Sequence, residues 1–368
     1  MKVVTIVGAR PQFIKAAPVS RALRQQHTEM LVHTGQHYDE NMSAVFFAEL
    51  DLPQPDVNLG VGSGSHGVQT AAMLAGIEAV LLAEKPDWVL VYGDTNSTLA
   101  GALAAAKLHI PVAHVEAGLR SFNRAMPEEI NRVLTDHVAD LLFCPSQTAV
   151  DNLAAEGITR GVHLVGDVMA DALAYAAERA STHSDILHRL GVTEKGFLLA
   201  TVHRAENTDN PAQLRAILDA FAAIDETIVF PVHPRTRTRI EALASHLPIP
   251  NSQFPIPNLK SIAPVGYLDM VRLMQAAQMI LTDSGGIQKE AYWLGTPCVT
   301  LRDETEWVET VETGWNVLAG ANTVRITAAV REFVLPESRP ALYGDGRVAA
   351  RIVGSLHNQD LLDSFCDG

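Results

Sequence analysis

The chain alternates short apolar runs with longer stretches of helical periodicity over almost its whole length. Most of the runs are apolar at nearly every position, which is typical of strands buried on both faces of a parallel sheet. Regular strand–helix–strand alternation predicts right-handed crossovers and an α/β fold. The predicted strands are KVVTIV, MLVHT, WVLVY, IPVAHV, LLFC and VHLVG in the first half, and FLLATV, TIVFPV, MILTDS and PCVTL in the second.

The alternation pauses once, across residues 167–195, and then restarts. A length of 368 residues also exceeds the usual size of one domain. We therefore predict two Rossmann-like parallel-sheet domains, residues 1–170 and 171–350, followed by a final helix over 351–368. Open parallel sheets bind ligands beyond the carboxyl ends of their strands, so we expect the active site in the cleft between the two domains.

Composition argues against some classes of binding partner and indicates a cellular compartment. The formal net charge of −14 argues against a nucleic-acid-binding or anionic-membrane surface. The apolar run before Gly8 is too short for a signal peptide or a membrane span. Cys144, Cys298 and Cys366 have no paired or metal-binding spacing, which is typical of idle thiols in a reducing compartment. We expect a cytoplasmic protein without nucleic-acid or membrane partners.

Basic side chains follow the first predicted strand. Arg10 and Lys15 lie near the start of the next helix, where the helix dipole also favours anions. Ordinary surface residues are the alternative, but a position after a buried strand favours an anion site. The same loop has only Gly8 where a dinucleotide-binding loop has GxGxxG, so we predict no nicotinamide cofactor.

Three carboxylates are predicted at one edge of the first sheet. Asp94 and Glu116 directly follow two strands, and Glu128 lies in the first turn of a later helix. Alone, Asp94 is equally typical of a helix cap and Glu128 of a charge matched to the helix dipole. The convergence of the three at one edge favours a functional cluster, and Arg132 lies four residues after Glu128 on the same helix face. Glu129 is expected to point elsewhere, so its amide variant should retain most activity.

The second half contains a turn suited to a diphosphate. The strand MIL runs into Asp283, Ser284, Gly285 and Gly286, where a helix begins. The glycines let a phosphate approach the free N–H groups of the first helical turn. Glu290, one turn further on, is placed to accept the hydroxyls of a ribose.

A histidine follows another strand of the second half. His203 is expected to face a phosphate rather than a metal ion. No HxH or HExxH spacing supports a zinc site in this sequence, so we predict no metal.

Seven short motifs of the chain resemble those of a known family. In order they are GARPQFIK, GDTNST, HVEAGLR, PEEINR, VHRAEN, DSGGIQKE and RDETE. In combination these motifs are specific, span most of the chain, and resemble the non-hydrolysing UDP-N-acetylglucosamine 2-epimerases. The resemblance implies a GT-B-like pair of Rossmann-like domains that binds a UDP-sugar in the cleft. It also implies that no cofactor is needed and that a homodimer is the common assembly.

The resemblance implies a role for each matched residue. Asp94, Glu116 and Glu128 correspond to the acid/base candidates of the family, with Arg132 beside them. Asp94, Glu116 and His203 are expected both to bind substrate and to take part in catalysis. The other implied ligand contacts are Arg10 and Lys15 for the nucleotide sugar, Ser284, Gly285 and Gly286 with His203 for the diphosphate, Glu290 for the ribose, and Arg302.

The implied activity converts UDP-N-acetylglucosamine to UDP-N-acetylmannosamine. Carbon 2 of the sugar has no adjacent carbonyl group, and the family instead removes its proton as UDP leaves carbon 1. UDP then re-adds after protonation from the other face, which suits carboxylates on two faces and cations at the diphosphate. Two alternatives remain: a UDP-2,3-diacetamido-2,3-dideoxyglucuronate 2-epimerase, indicated by GARPQFIK with TEWVE, and a GT-B glycosyltransferase.

Three segments depart from the usual pattern of the family. ARPQ stands where the first loop commonly reads TRPE, and EWVE stands where ERPE is common later in the chain. The segment TGQHYDENM lacks the Gln-His-Arg pattern with which many bacterial relatives bind a second UDP-N-acetylglucosamine as activator. We therefore expect no requirement for that activator.

Overall fold

The chain forms two compact units, which we call unit 1 and unit 2. Unit 1 comprises Met1–Tyr175 and Tyr343–Gly368, and unit 2 comprises Ala176–Leu342. The structure is a computed structural model that describes residues 1–36, 51–245 and 256–357.

The boundaries between the units lie close to the predicted ones but do not coincide with them. The first, between Tyr175 and Ala176, falls inside a helix, so no interruption of periodicity marks it. The chain returns to unit 1 at Tyr343, before the predicted last segment 351–368. The hydrophobic periodicity of a sequence indicates where helices lie, but it does not indicate which of two sheets each helix packs against.

The strands are short and mostly buried, as expected for parallel sheets covered on both faces. In unit 1 the described strands are β1 Lys2–Val7, β2 Thr28–His33, β3 Val57–Asn58, β4 Trp88–Tyr92, β5 Val112–Val115, β6 Leu141–Cys144 and β7 Val162–Leu164. In unit 2 they are β8 Leu198–Thr201, β9 Ile228–Pro231, β10 Leu259–Ile262, β11 Met279–Thr282, β12 Cys298–Thr300 and β13 Asn316–Leu318.

Helices are described between β1 and β2 and between successive strands from β3 onwards. Those that begin in the first part of unit 1 are α1 Arg10–Leu23, α2 His66–Glu84, α3 Asn96–Lys107, α4 Pro127–Val138, α5 Gln147–Ala155 and α6 Val168–His183. Unit 2 contains α7 Ile186–Leu190, α8 Ala205–Thr208, α9 Pro211–Ala222, α10 Pro234–Ser245, α11 Tyr267–Ala276, α12 Gly285–Leu294, α13 Val308–Glu312 and α14 Thr323–Glu332. The last described helix, α15 Val348–Leu356, belongs to unit 1.

The described strands of both sheets are parallel, and the six-stranded sheet of unit 2 repeats the order of the first six strands of unit 1, which has a seventh strand at its edge. The order is β3-β2-β1-β4-β5-β6-β7 in unit 1 and β10-β9-β8-β11-β12-β13 in unit 2. The order reverses between β1 and β4 in the first sheet and between β8 and β11 in the second. Such switch points are where open parallel sheets bind ligands. The prediction of two parallel-sheet α/β domains is confirmed.

The core of each unit forms where amphipathic helices cover the sheet. In unit 1, α2 buries Met73, Ile77 and Leu81, spaced four residues apart on one helix face, in one cluster with β-strand valines. In unit 2, Phe221 of α9 meets Phe230 of β9 edge to face, with ring centroids 6.0 Å apart. Burial of each such side chain stabilises the fold by about 1.5–3 kcal/mol. A charged residue in place of Ile77 would disrupt the packing of α2 on the sheet of unit 1.

The turn after β1 is held by Gln12, the last residue of the segment ARPQ, which differs from the usual TRPE of the family. Gln12, which is almost fully buried, accepts hydrogen bonds from the N–H groups of Gly8 and Ala9 at 2.8 and 3.0 Å. Its amide nitrogen donates to the Tyr92 carbonyl at 2.8 Å and to the Thr98 hydroxyl at 3.0 Å. Gln12 therefore ties the start of α1 to the end of β4, across the switch point of unit 1.

Candidate active site

A lysine–carboxylate pair lies at the carboxyl edge of the first sheet. Lys15, on α1, makes a hydrogen-bonded ion pair with Glu116, which follows β5. Gly93 sits against this pair: a Cβ atom there would lie 3.4 Å from Glu116 Oε2 and 3.6 Å from Lys15 Nζ. Its φ of +62° also favours glycine, so the end of β4 passes close beside the two charges.

The lysine of this pair remains charged. Burial acts to lower the pKa of Lys15, but the charge and hydrogen bond of Glu116 outweigh burial, and the charges of Asp167 and Asp94 add to them. The pKa of Lys15 is therefore raised. At neutral pH the edge presents a fixed ammonium group beside a carboxylate.

Asp94 makes a second cation–carboxylate pair at the same edge. Its Oδ2 accepts from the Arg132 guanidinium of α4 at 2.5 Å, and its carbonyl accepts from the Asn131 amide at 3.0 Å. The role of helix cap falls to Thr95, whose side chain accepts from the N–H of Thr98. The Asp94 carboxylate is thus not used to cap α3.

The two neighbouring glutamates of α4 have opposite environments. Glu128 is exposed, whereas Glu129 is only 3% exposed. Glu129 accepts from the N–H and hydroxyl of Ser121 and from the N–H of Phe122, each at 2.9 Å, and lies 3.2 Å from Arg132. The expectation that Glu129 points away from the cluster is therefore wrong. Sequence alone does not give the phase at which a helix meets the loop before it.

Glu116 has an uncommon backbone conformation. Its φ is +73°, in the left-handed region that a residue with a side chain rarely adopts. The N–H groups of Glu116 and Ala117 both donate to the Phe143 carbonyl of β6 at 3.1 Å. Gly118, with φ of +79°, follows in a position where a Cβ would lie 2.4 Å from the Ala149 carbonyl. The turn that carries Glu116 is therefore held in a strained shape by the adjacent strand.

A buried ionic network lies beneath these turns and was missed by sequence reasoning. His114 of β5 contacts the Asp136 carboxylate and the Gly93 carbonyl, each at 2.7 Å. Asp136 also accepts from the Gly118 N–H at 3.1 Å and from Arg120 at 2.7 Å. His114 stands inside a strand and Asp136 inside a helix, so neither position after a strand nor motif spacing marks them as partners.

In unit 2 the switch point is organised by a buried aspartate. Asp283, fully buried after β11, accepts from the N–H groups of His203 and Arg204 and from the Asn207 amide, at 3.0–3.1 Å. The His203 ring nitrogen Nδ1 lies 3.3 Å from Asp283 Oδ1. Asp283 thereby fixes the turn that presents His203, a role that the sequence reasoning did not assign.

The predicted diphosphate turn begins α12. Ser284 is the N-cap of this helix, and its hydroxyl accepts from the Ile287 N–H at 3.5 Å. Gly286 is exposed, and a Cβ there would meet only the Ser284 hydroxyl, at 3.9 Å. A Cβ on Gly285 would instead lie 3.2 Å from Glu306 Oε2. The first turn of α12 thus offers an open, anion-compatible approach at Gly286.

Arg302 and the EWVE segment lie next to this turn. The guanidinium of Arg302 pairs with Glu306 at 3.0–3.1 Å, and Arg302 is largely buried. Burial acts to raise the pKa of Glu306, but the hydrogen bond and charge of Arg302 outweigh it, so the pKa is lowered. Trp307, where the family commonly has arginine, lies over the Lys289 ammonium, 4.1 Å from nitrogen to ring centroid.

The predicted residues fall into two sets, one on each unit. Among the residues described, Lys15 with Glu116 and Arg132 with Asp94 form two ion pairs at one edge of unit 1, and Glu128 stands exposed at the start of α4. The unit 2 set lies on α12 and after β8, β11 and β12, and it consists of His203, Ser284, Gly285, Gly286, Glu290 and Arg302. Arg10 begins α1, but its side chain is not among those described.

Two further expectations concern a metal site and the segment TGQHYDENM. Within residues 1–36, 51–245 and 256–357, no three or more His, Cys, Asp and Glu side chains are grouped to hold a metal ion. Most of the segment TGQHYDENM lies outside the described residues. Of its described part, Gln36 accepts from the Ser97 hydroxyl at 2.7 Å.

A match to a known protein family covers most of the chain. Residues 21–357 match the family described as UDP-N-acetylglucosamine 2-epimerase. The chain belongs to this family. It is therefore an isomerase that epimerises UDP-sugars, and the resemblance drawn from its motifs is confirmed.

Three similar proteins cover the epimerase chain almost end to end. A UDP-N-acetylglucosamine 2-epimerase homolog of Methanococcus maripaludis is 55% identical over 97% of this chain and 100% of its own. The UDP-2,3-diacetamido-2,3-dideoxy-D-glucuronate 2-epimerase of Pseudomonas aeruginosa is 51% identical over 97% and 99%. The Methanocaldococcus jannaschii UDP-GlcNAc 2-epimerase, solved in complex with UDP-GlcNAc and UDP, is 46% identical over 97% and 99%, with a TM-score of 0.75.

Proposed function

We propose that this epimerase interconverts UDP-N-acetylglucosamine and UDP-N-acetylmannosamine by elimination and re-addition of UDP. The observation that carries the proposal is a pair of cation-matched carboxylates at the ends of adjacent strands. Asp94 with Arg132 and Glu116 with Lys15 supply proton-transfer groups beside fixed positive charge. The solved relative that binds UDP-GlcNAc and UDP supports this choice of substrate.

The proposed reaction needs no oxidant or reductant. A carboxylate takes the proton from carbon 2 as the bond between carbon 1 and the UDP oxygen breaks, and that bond's electron pair leaves with UDP. The electrons of the broken C–H bond form the double bond of a glycal. A second acid then protonates carbon 2 from the opposite face, and the UDP oxygen re-forms its bond to carbon 1. Asp94, Glu116 and Glu128 are the groups assigned to these proton transfers.

The residues of unit 2 are assigned to the nucleotide. The N–H groups at the start of α12 and the Ser284 hydroxyl suit the diphosphate. His203, held by Asp283, and Arg302 add donors for its oxygens. Glu290 is assigned to the ribose hydroxyls. On unit 1, Arg10 and Lys15 are assigned to the sugar nucleotide, so that positive charge meets the diphosphate as it departs.

A second candidate substrate is UDP-2,3-diacetamido-2,3-dideoxyglucuronate. The Pseudomonas aeruginosa relative and the EWVE segment favour it. This sugar carries an extra carboxylate, which requires an additional cation or donor in the site. Incubation with each UDP-sugar, followed by proton NMR of the products, separates the two. We expect the turnover of UDP-N-acetylglucosamine to exceed that of the uronate.

Solvent deuterium tests the elimination mechanism. In deuterated water the epimerised product should carry deuterium at carbon 2, because the proton removed exchanges with solvent before re-addition. Asp94→Asn and Glu116→Gln should each lower kcat by about 100- to 10,000-fold, as expected for a lost acid or base. UDP affinity, measured by calorimetry, should fall far less. A product that retains its original proton would overturn the mechanism.

We also propose a homodimer. Unit 1 exposes large apolar side chains on two helices and on the loop before the second of them: Val68 and Leu82 on α2, Ile130 and Leu134 on α4, and Phe122 and Met126 before α4. Helices α2 and α4 both pack against α3, so they are close neighbours in the unit. By length and composition alone α2 could span a membrane, but it buries Met73, Ile77 and Leu81 in the core. Since the core-facing side of α2 is already packed within unit 1, we assign the exposed apolar residues to contact with a second copy of the chain.

We place the enzyme in the cytoplasm. Cys144 and Cys298 are buried free thiols, which suits a reducing compartment. Burial raises the pKa of each thiol to about 12, so neither is poised for reaction.

A further inference from the structure

We propose that His114 is a buried imidazolium that acts as a positioning residue, holding the two carboxylate-bearing turns of unit 1 in register through Asp136. The inference rests on the proposed function, which places Asp94 and Glu116 at the reacting sugar. The two turns are the one that runs from Gly93 to Asp94 and the one that runs from Glu116 to Gly118.

The hydrogen bonds of His114 require a proton on both ring nitrogens. Nε2 lies 2.7 Å from the Gly93 carbonyl, and a carbonyl oxygen can only accept, so Nε2 donates. Nδ1 lies 2.7 Å from Asp136 Oδ1. The other oxygen of Asp136 accepts from the Gly118 N–H and from Arg120, as expected of an ionised carboxylate. Since Nδ1 then also donates, the ring carries a positive charge.

The surroundings of His114 support a charged ring. The side chain is fully buried, and a buried cation without a partner would be very costly. Burial acts to raise the pKa of Asp136, but the hydrogen bonds and charges of His114 and Arg120 outweigh burial, so that pKa is lowered. Cys144 of β6 also feels the charges of Asp136 and Arg120, but its pKa of about 12 keeps the thiol neutral. Among the described contacts, the ring therefore faces one carboxylate and one carbonyl.

The network explains how both turns are held at once. Gly93 immediately precedes Asp94, and its carbonyl is fixed by His114. Gly118 lies two residues after Glu116, and its N–H is fixed by Asp136. A displacement of reacting groups by about 1 Å lowers a rate by about 100-fold. Loss of either network residue should therefore lower kcat, while the nucleotide contacts on unit 2 stay intact.

Nitrogen NMR of the full-length protein tests the charge state directly. With ¹⁵N-labelled histidine, both ring nitrogens of His114 should show bonded protons from pH 6 to pH 9. The His114 signals are assigned by their loss in His114→Gln, or by their shift in Asp136→Asn if the first variant does not fold. His163 is the internal control, because burial lowers its pKa and its ring should be neutral at pH 8. A His114 ring with one unprotonated nitrogen anywhere in this range would overturn the proposal.

Kinetics test the positioning role. In His114→Gln and Asp136→Asn, kcat should fall by about 100-fold, with KM for the UDP-sugar changed no more than about twofold. The double variant should be little worse than either single variant, because both break one network. His163→Gln should keep the wild-type kcat. Wild-type kcat in both network variants would overturn the positioning role.

The NMR and kinetic experiments together distinguish a failure of this proposal from a failure of the proposed function. The NMR result does not depend on any substrate. If the protein fails to epimerise the two UDP-sugars tested, the charge of His114 is still decided. If it epimerises them with a neutral His114, the positioning proposal alone is wrong.

Discussion

At the scale of single residues, the candidate site combines strain with charge. Glu116 keeps its carboxylate beside Lys15 at the cost of a left-handed backbone, which is strained by about 1–2 kcal/mol for any residue with a Cβ. The adjacent strand imposes this conformation through two hydrogen bonds to Phe143. Strain of this kind collects at functional positions, where the surrounding fold holds a side chain that the backbone alone would place elsewhere.

We predict that Glu116→Gly is more stable than Glu116→Ala, by up to about 1 kcal/mol. Both variants lose the ion pair with Lys15, so they differ in the cost of the left-handed backbone, which disfavours alanine, and in the larger unfolded-state entropy of glycine, which opposes it. Urea unfolding of the two proteins side by side measures the difference. If the alanine variant were the more stable, the left-handed strain at Glu116 would be smaller than this entropy difference.

Glu128 and Glu129 form a matched pair for separating catalysis from stability. Glu129→Gln should destabilise unit 1 by about 1–3 kcal/mol, because an amide nitrogen would face N–H donors of the Ser121–Phe122 loop. Glu128→Gln should leave stability unchanged, since its side chain is exposed. If Glu128 is an acid or base, its amide variant alone should combine normal stability with a lowered kcat.

The destabilisation of Glu129→Gln should depend on pH with a defined sign. Burial acts to raise the pKa of Glu129, but hydrogen bonds from Ser121 and Phe122 and the charge of Arg132 outweigh it, so the pKa lies below 4.5. The stability that this carboxylate provides is therefore complete above pH 4.5 and lost as the pH falls through the lower folded value. Unfolding free energies at pH 7 and pH 3.5 should show the difference between wild type and variant narrowing in acid.

At the scale of helices and strands, both sites depend on turns at the ends of strands. The turns after β8 and β11 are joined by Asp283, and those after β1 and β4 are joined by Gln12. In each unit a buried side chain from one turn satisfies backbone groups of the other. The candidate site residues on these turns are thus positioned by buried side chains.

Gly286→Ala tests the diphosphate turn without disturbing the fold. A Cβ there meets nothing closer than 3.9 Å, so the variant should fold normally and gain about 0.5–1 kcal/mol of helix propensity. UDP affinity should fall, because the methyl group occupies the phosphate approach. Gly354→Ala makes the same change in α15, also in open space, and should leave UDP binding unaltered. Calorimetry with UDP that finds equal affinity in both variants would remove the diphosphate from this turn.

Sequence position identified the polar candidate residues that follow strands, but not the buried residues that hold their turns. Buried β-branched runs marked the strands, and polar residues just after them, such as Asp94 and Glu116, could be found by position. His114 and Asp283 support these turns from buried positions where a polar residue has no recognisable spacing. The roles of Glu128 and Glu129 could not be separated either, because a shift of one residue in helix phase exchanges the buried side chain with the exposed one.

At the scale of the whole molecule, the surface of unit 1 combines charged residues with exposed apolar ones. The chain has a net charge of −14, yet α2, α4 and the loop before α4 expose large apolar side chains. The proposed homodimer would cover this face symmetrically, so that each residue of the patch meets the same patch on the second copy.

We predict that Ile130→Glu converts the dimer to a monomer. A carboxylate at this position would be buried without a partner in the symmetric interface, which costs several kcal/mol per copy. Light scattering after size-exclusion chromatography measures the mass. Val324→Glu, at a more exposed apolar position on unit 2, is the control and should leave the mass unchanged. A wild-type protein that elutes as a monomer would contradict the proposal.

The interrupted course of unit 1 along the chain has a consequence for synthesis on the ribosome. Its last described helix, α15, packs on α1, and the N–H groups of Val348 and Ala349 donate to Asp171. The nascent first unit must therefore wait, with this surface uncovered, until all of unit 2 has emerged. Unit 2 is encoded without interruption and can close its own core earlier. A stop codon shortly before α15 would thus harm the half of the enzyme that is translated first.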